Sequence, residues 1–433
     1  MTVTRDHRRA QPLWMRHGPY WRLLVGASTS AAGTGVAAVA LPVLAVSVFS
    51  ASPRMIGLLE AAVWTPWLVV GLPAGAWVDR WSPRLLAMVA DAASAVLFAA
   101  VPVLAAFGAL RLWQLVVLAL AAGTASVVSE AAAAVLPPWV VEDEDLEAAN
   151  AGLQGAESAT DVLSPALSSA LTHLFGLVSA FTANAASFAI SALCLLSLRT
   201  KPAVSTEPAT RSLTAEVGEG LRLLFGHPVL RRLAGTAGAF NATLTGVGTL
   251  QALLLIDVVD VAPAAVGILL VGEGVGGIAG AAVAPALARR LGTGRALALV
   301  PIVTFPFGFL MALTTRGAGL ALFVAGTAVP TLGVVCTNVL MRTVRQRSAP
   351  RALLGRVSAS SQVVGRSAAP IAALLSGTAA AAIGVRPTIA AFWVLALAAA
   401  ALLILRPPSE AEPATGDQTL DASHGAKTSS SSR

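Results

Sequence analysis

Twelve apolar stretches follow one another along this chain, near residues 21–49, 55–78, 84–107, 112–136, 147–172, 177–198, 230–256, 264–288, 296–314, 318–341, 353–382 and 387–405. A helix needs about 20 mostly apolar residues to cross a bilayer core. Inside hydrocarbon every backbone N–H and C=O must be satisfied within the protein, so runs of this length read as helices. The expected fold class is an all-α membrane protein with twelve transmembrane helices. Several runs exceed 25 residues, which allows tilt. The fifth and eleventh are the least apolar. Composition agrees: 56% of the 433 residues are hydrophobic, 12% are charged and mean hydropathy is +0.76. Soluble domains carry about 25% charged residues, so lipid is expected to cover most of the exterior.

A formal charge of +7 and a pI near 10.8 raise nucleic acid as a partner, but placement argues against it. The Arg residues sit in short clusters between apolar runs, and no basic stretch is interleaved with aromatics for base stacking. With the N-terminus in the cytoplasm, the inner segments hold about two dozen Lys and Arg against about four outside (Arg54, Arg111, Arg316 and Arg386). The acidic run Glu142, Asp143, Glu144, Asp145 and Glu147 falls in an inner loop, and acids contribute little to topology. Both termini are then cytoplasmic. The basic first twenty residues lack an apolar core with a small-residue cleavage site, so the first span is expected to stay in the mature chain. Cys194 and Cys336 lie inside apolar runs and read as packing residues. The scattered His residues suggest no metal site, and no cofactor is expected. No P-loop, zinc motif or nucleophile elbow with partners supports an enzyme.

The chain divides into an N-terminal segment 1–20, a first six-span half 21–198, a linker 199–229, a second half 230–406 and a tail 407–433. In the linker, Leu213, Val217, Leu221 and Leu224 recur at helical spacing, with Glu216, Glu219 and Arg222 elsewhere on the wheel. This predicts an amphipathic helix along the inner surface. The tail, rich in Ser, Pro and acids, is expected to be disordered. The halves repeat. Pro53-Arg-Met-Ile-Gly57 opens span 2 and Pro263-Ala-Ala-Val-Gly267 opens span 8. Ser164-Pro165-Ala166 in span 5 matches Ala369-Pro370-Ile371 in span 11. Internal repetition across a central loop is characteristic of transporters.

Charges within spans are costly and face protein, water or a partner. They are Glu60, Asp91, Glu130, Glu157, Asp161, Glu273 and Arg366. For each, a structural ion pair or helix-packing hydrogen bond stands beside a gating or proton-carrying role. Between spans 2 and 3 lies Gly75-Ala-Trp-Val-Asp79-Arg80-Trp-Ser-Pro-Arg84. It combines a close helix approach at Gly75, an anion at a helix end and two cations on a tight turn.

This loop resembles the Gly-x-x-x-Asp-Arg-x-x-x-Arg pattern of the major facilitator superfamily. Gly75, Asp79, Arg80 and Arg84 match, while the usual Gly between the basic clusters is absent. Leu136-Pro137, Leu146-Glu-Ala-Ala-Asn150, Ala156-Glu157-Ser158, Ser164-Pro165-Ala166-Leu167 and Leu354-Gly355-Arg356-Val357 are similar to the bacterial efflux branch that includes enterobactin and macrolide exporters. The resemblance covers roughly residues 15–405. It implies two six-helix bundles that rock about a central cavity lined by spans 1, 4, 7 and 10. Spans 2 and 11, and spans 5 and 8, would meet between the bundles. In the second half, Ala284-Pro-Ala-Leu-Ala288-Arg289-Arg290 keeps the cations without the Asp. Asp79 would then be the main anion of the inner gate.

Under that assignment the cavity candidates are small and polar: Thr34, Ser126, Asn241, Thr245, Gln251, Thr331 and Asn338, among other Ser and Thr. Interhelical packing is the ordinary role of such groups. With Glu130 the sole charge among these helices and aromatics sparse, the expected substrate is a fairly large, amphipathic, weakly charged small molecule. The expected function is proton-coupled export by a monomer in the bacterial inner membrane. Uptake by the same fold and a non-transporting receptor or scaffold remain open.

Three arrangements are expected. Asp79 docks on the start of span 11 near Gly355 and Arg356 when the outer side is open, while Arg80 or Arg84 reaches Glu130. Glu60, about 9 Å deep by helical rise, pairs with Arg366 and closes the outer side. Glu157 and Asp161, one turn apart on span 5, crowd Glu273 of span 8. Desolvation and like charge would make at least one hold a releasable proton, with Asp91 and Glu130 next in line.

Overall fold

The structure is a computed structural model of the chain, and it describes residues 18–142, 145–198, 222, 225–226, 228–348 and 354–405. The side chains at 72, 75–76, 79, 147, 228–229, 345–348, 354–364 and 403–405 lie outside the description. The amphipathic segment around Leu213, the tail expected to be disordered and residues 1–17 therefore fall outside the described residues.

The described residues form helices at each of the twelve apolar stretches. They are α1 (Gly18–Phe49), α2 (Pro53–Val69, continued by Gly71–Arg80), α3 (Pro83–Ala106), α4 (Leu112–Ala133), α5 (Leu146–Phe175) and α6 (Ser179–Ser197). The second half holds α7 (Pro228–Leu253, ending in a π turn at Leu254–Val258), α8 (Pro263–Leu291), α9 (Thr293–Thr304, tightening to 3-10 at Phe305–Leu313), α10 (Leu320–Ser348), α11 (Leu354–Ile383) and α12 (Val385–Leu405). Local chemistry sets their ends. Pro opens α2, α3 and α8, where its missing N–H costs nothing and its φ suits a first turn. Gly176, Gly292 and Gly384 take φ of 82°, 79° and 92° after α5, α8 and α11, the conformation that terminates a helix without a Cβ clash. Pro73 cannot donate to the carbonyl four residues back, and α2 breaks just there, at Val70.

Among the described residues, ten helical stretches are long and apolar enough to cross a membrane. The two remaining are α2, divided at Val70, and α5, which carries Glu157 and Asp161. Both lie packed among the others. Leu163, Leu193, Ile278, Trp113 and Leu402 are exposed on the outer faces of the bundle, as a lipid-facing surface requires.

Packing repeats between the halves. In the first, α1 packs on α5 and α6, α4 on α2 and α3, and α3 on α6. In the second, α7 packs on α11 and α12, α10 on α8 and α9, and α9 on α12. The two bundles meet along α2–α11 and α5–α8, the pairs that the resemblance implies. One continuous apolar cluster joins both bundles and includes Leu44, Ile56, Leu59, Leu254 and Val266. Its members from the first bundle lie in the half remote from Gly18, whereas those from the second bundle run the length of that bundle, from Leu254 and Val266 to Leu297 and Leu340. At the end near Gly18, the separate cluster around Tyr20, Val78, Ala87 and Leu136 belongs to the first bundle alone.

Candidate transport cavity

A cavity of about 680 Å³ opens at the end that carries Gly18. Its mouth is set by Arg22 at the start of α1, Leu136 and Pro137 after α4, Asn150 at the start of α5 and Leu195 near the end of α6. Its walls reach Thr34 and Gly35, halfway along α1. Glycines hold its walls close together: a Cβ on Gly35 would come 2.5 Å from Ser164 Oγ of α5, and one on Gly26 would come 3.2 Å from Cys194 Cβ of α6. Of the expected cavity residues, Thr34, Ser126 and Glu130 line it. So do Asp91, Glu157 and Asp161, which sequence reasoning placed elsewhere.

Those three acids have distinct surroundings. Asp91 is 2% exposed. Its Oδ1 accepts from Ser129 Oγ of α4 at 2.7 Å and its Oδ2 from Ser191 Oγ of α6 at 2.6 Å. It thus ties three helices together with charge-assisted hydrogen bonds. Glu157 is exposed and its Oε2 accepts from Gln154 Nε2 at 3.0 Å. Asp161 is exposed one turn further along and has no hydrogen-bond or ion-pair partner among the described residues. Helical spacing gives these two acids one face, as expected, but that face turns into the cavity rather than toward α8.

The expected crowding with Glu273 is not what the structure holds. The α5–α8 interface is made by Val162 against Gly274, Pro165 against Gly267, and Ser169 Oγ, which accepts from Ile268 N at 2.9 Å. Glu273 lies on another face of α8 and accepts from Gln251 Nε2 of α7. Together they line a smaller cavity of about 150 Å³ in the second bundle, with Thr327, Thr331, Met311 and Trp393. Gln251 and Thr331 are therefore cavity residues as expected. Asn241 donates to Ala237 O at 3.0 Å on its own helix. Thr245 and the exposed Asn338 line neither of these two cavities.

The expected Glu60–Arg366 pair is also replaced. The guanidinium of Arg366 on α11 lies 3.8 Å from the ring centroid of Trp67 on α2, a cation–π contact. It also stands 4.0 Å from Glu130 Oε2 on α4. Glu60, half-buried on α2, has no ion pair or hydrogen bond among the described residues. Depth along the helix alone predicts the pair, and depth ignores the direction in which a side chain leaves its helix. What seals the closed end is backbone instead. A Cβ on Gly57 would come 2.6 Å from Ala373 O, and one on Gly377 would come 2.5 Å from Pro53 O.

Arg84 does not reach Glu130 here. Its Nε donates to Leu195 O at 2.8 Å and its Nη2 to Leu196 O. Arg22 adds a bond to Ser197 O at 2.6 Å. Two cations thus cover the last carbonyls of α6, groups that a helix leaves without partners. Gly75 and Asp79 of the loop, and Gly355 and Arg356 of α11, have side-chain surroundings outside the described residues. Arg80 is exposed at the end of α2.

Two linked helical bundles, the first lining a cavity of ligand size, with no strand among the described residues, are the architecture of a multi-pass membrane transporter. The model of the Major Facilitator Superfamily matches residues 23–373, and the chain belongs to that superfamily. It is similar to the multidrug efflux pump Tap of Mycolicibacterium fortuitum, at 26% identity over 86% of this chain and 92% of that protein. Among solved structures it is similar to the nucleoside transporter NupG, with a TM-score of 0.74 at 15% identity over 89% of this chain and 98% of that one. It is also similar to a bacterial homologue of the human lysosomal transporter Spinster in an inward-facing, unoccupied conformation, with a TM-score of 0.71 at 14% identity over 89% of this chain and 96% of that one.

Proposed function

We propose that this protein is a proton-coupled exporter of amphipathic small molecules in the bacterial inner membrane. The observation that carries this is the cavity of about 680 Å³ with a mixed apolar, hydroxyl and carboxylate lining, open at one end and sealed at the other. Its volume lies in the range of drug-sized sites. With both termini cytoplasmic by the distribution of Arg, the open end faces inward and presents the cavity to compounds in the cytoplasm or inner leaflet. The similarity to a multidrug efflux pump supports the same direction.

Glu157 and Asp161 have open access to water from the inner side, and Glu273 sits behind them in the other bundle. These are the proposed proton carriers, followed by Asp91 and Glu130. When the bundles rock and the inner side closes, Asp79 docks at the start of α11 near Gly355 and Arg356.

Inside-out vesicles containing the purified protein test this reading with a panel of fluorescent amphiphiles of differing charge. An imposed proton gradient, acidic inside, should drive their accumulation, and a protonophore should abolish it. Transport in the opposite direction overturns export, and accumulation indifferent to the gradient overturns coupling. Among Glu157→Gln, Asp161→Asn and Glu273→Gln, a coupling residue loses uphill transport but keeps downhill exchange, followed with an uncharged amphiphile of the panel. If all three variants keep wild-type pH dependence, the proton travels elsewhere.

A further inference from the structure

We infer that the large cavity selects amphipathic organic cations, with Glu157 and Asp161 as their counterions. This rests on the reading of that cavity as the transport site, and it revises the weakly charged substrate expected from the sequence. The revision follows from placement. Assigning α5 to an inter-bundle interface removed its acids from the cavity, whereas the folded chain turns both of them into it.

The charged side chains that line the cavity among the described residues differ in their partners. Asp91 is satisfied by two serine hydroxyls. Glu130 faces the Arg366 guanidinium. Arg22, at the mouth, donates to the end of α6. Glu157 receives only the neutral amide of Gln154, and Asp161 receives nothing among the described residues. Two exposed carboxylates one helical turn apart thus share a concave chamber with no cation of their own among the described residues. A cleft with low-dielectric walls concentrates the field of such charges, so it attracts cations and repels anions. Phe188, Leu23 and Leu153 line the same space and supply the apolar contact. No group of three or more His, Cys, Asp or Glu among the described residues could hold a metal ion. With room for a drug-sized body and no such donor set, the fitting occupant is an organic cation with a bulky apolar part.

Tetraphenylphosphonium and tetraphenylborate have nearly the same shape and opposite charge, and they make the test. Their binding to the purified full-length protein is measured separately by equilibrium dialysis, without any gradient. The phosphonium should bind at least about tenfold more tightly than the borate. The double variant Glu157→Gln, Asp161→Asn should weaken phosphonium binding at least about tenfold and erase the preference. Glu157→Asp with Asp161→Glu should restore it. Equal binding of the two ions, no binding of the phosphonium, or an undiminished preference in the amide variant overturns the inference. If the amide variant does not fold, as judged by gel filtration and thermal unfolding, the wild-type comparison still decides. Because binding is read without transport, a cation preference in a protein that fails to export overturns the export reading alone. Export with no charge preference overturns this inference alone.

Discussion

At the scale of single residues, buried and half-buried charges are spent on helix ends and helix junctions as much as on gates. Arg84 belongs to the loop pattern that suggests a gate, yet its guanidinium covers the carbonyls of Leu195 and Leu196. Arg386 does the same at the opposite end, donating to Ala312 O at 3.0 Å and Thr314 O at 2.7 Å. Asp91 is the strongest such case, because one carboxylate holds hydroxyls from two neighbouring helices. Asp91→Ala leaves both serines without their acceptor and should cost about 3 kcal/mol of stability. Asp91→Asn retains one acceptor oxygen and should cost less. Thermal unfolding of the purified variants checks the order. An alanine variant as stable as wild type would mean that the junction contributes nothing.

At the scale of elements, glycine decides how close two helices come. On α8, Gly272, Gly276 and Gly280 face α10, and a Cβ on Gly276 would come 2.1 Å from Ala328 O. This spacing of four is the small-residue pattern that lets membrane helices touch through their backbones. On the other side of the same helix, Gly267 and Gly274 meet α5. The repeated Pro-x-x-x-Gly sequences have equivalent places: Gly57 meets α11 and Gly267 meets α5, each across the junction between bundles. The two kinds of contact predict different failures. Gly276→Val overpacks a contact within one bundle and should destabilise the fold by about 1–3 kcal/mol, read as a lowered unfolding temperature. Gly57→Val or Gly377→Val wedges apart two bodies that can separate. It should leave the fold intact and shift the population toward the state open at the other end. Spin labels on the ends of α2 and α11 near Gly57 should then move apart. An unchanged distance with a lowered unfolding temperature would make the glycine contact a static one.

At the scale of the molecule, the sealed end and the open end differ in what joins the bundles. At the sealed end one apolar cluster takes in residues of both bundles, while at the open end the first bundle has a cluster of its own, separate from the core of the second. The proposed rocking would exchange these roles, and the proposed direction of transport depends on which end faces the cytoplasm. The excess of Arg at the Gly18 end predicts that it is cytoplasmic. An alkaline phosphatase fused after Ala109 should be active, and one fused after Leu405 should be inactive. The reverse pattern would turn the cavity to the outside and with it the proposed direction.

The amino-acid sequence alone determined the helices and the two matching halves, for reasons that are local or symmetric, and the resemblance carried by the loop implied which helices pair. A run of apolar residues must be a helix in lipid, Pro and Gly mark its ends, and a repeated Pro-x-x-x-Gly reveals matching halves. The loop from Gly75 to Arg84 was enough to indicate the superfamily. The sequence also identified the charged residues that matter, because a charge in a span needs a partner. Tertiary structure alone decided the partners. Arg366 found Trp67 and Glu130 rather than Glu60, and Glu273 found Gln251 rather than the acids of α5. Depth along a helix is readable from residue number, but the direction of a side chain around it depends on how neighbouring helices rotate and tilt. That rotation is set by packing summed over whole interfaces, where a single glycine contact or a stack on Trp67 can turn a carboxylate from a helix junction into an open cavity.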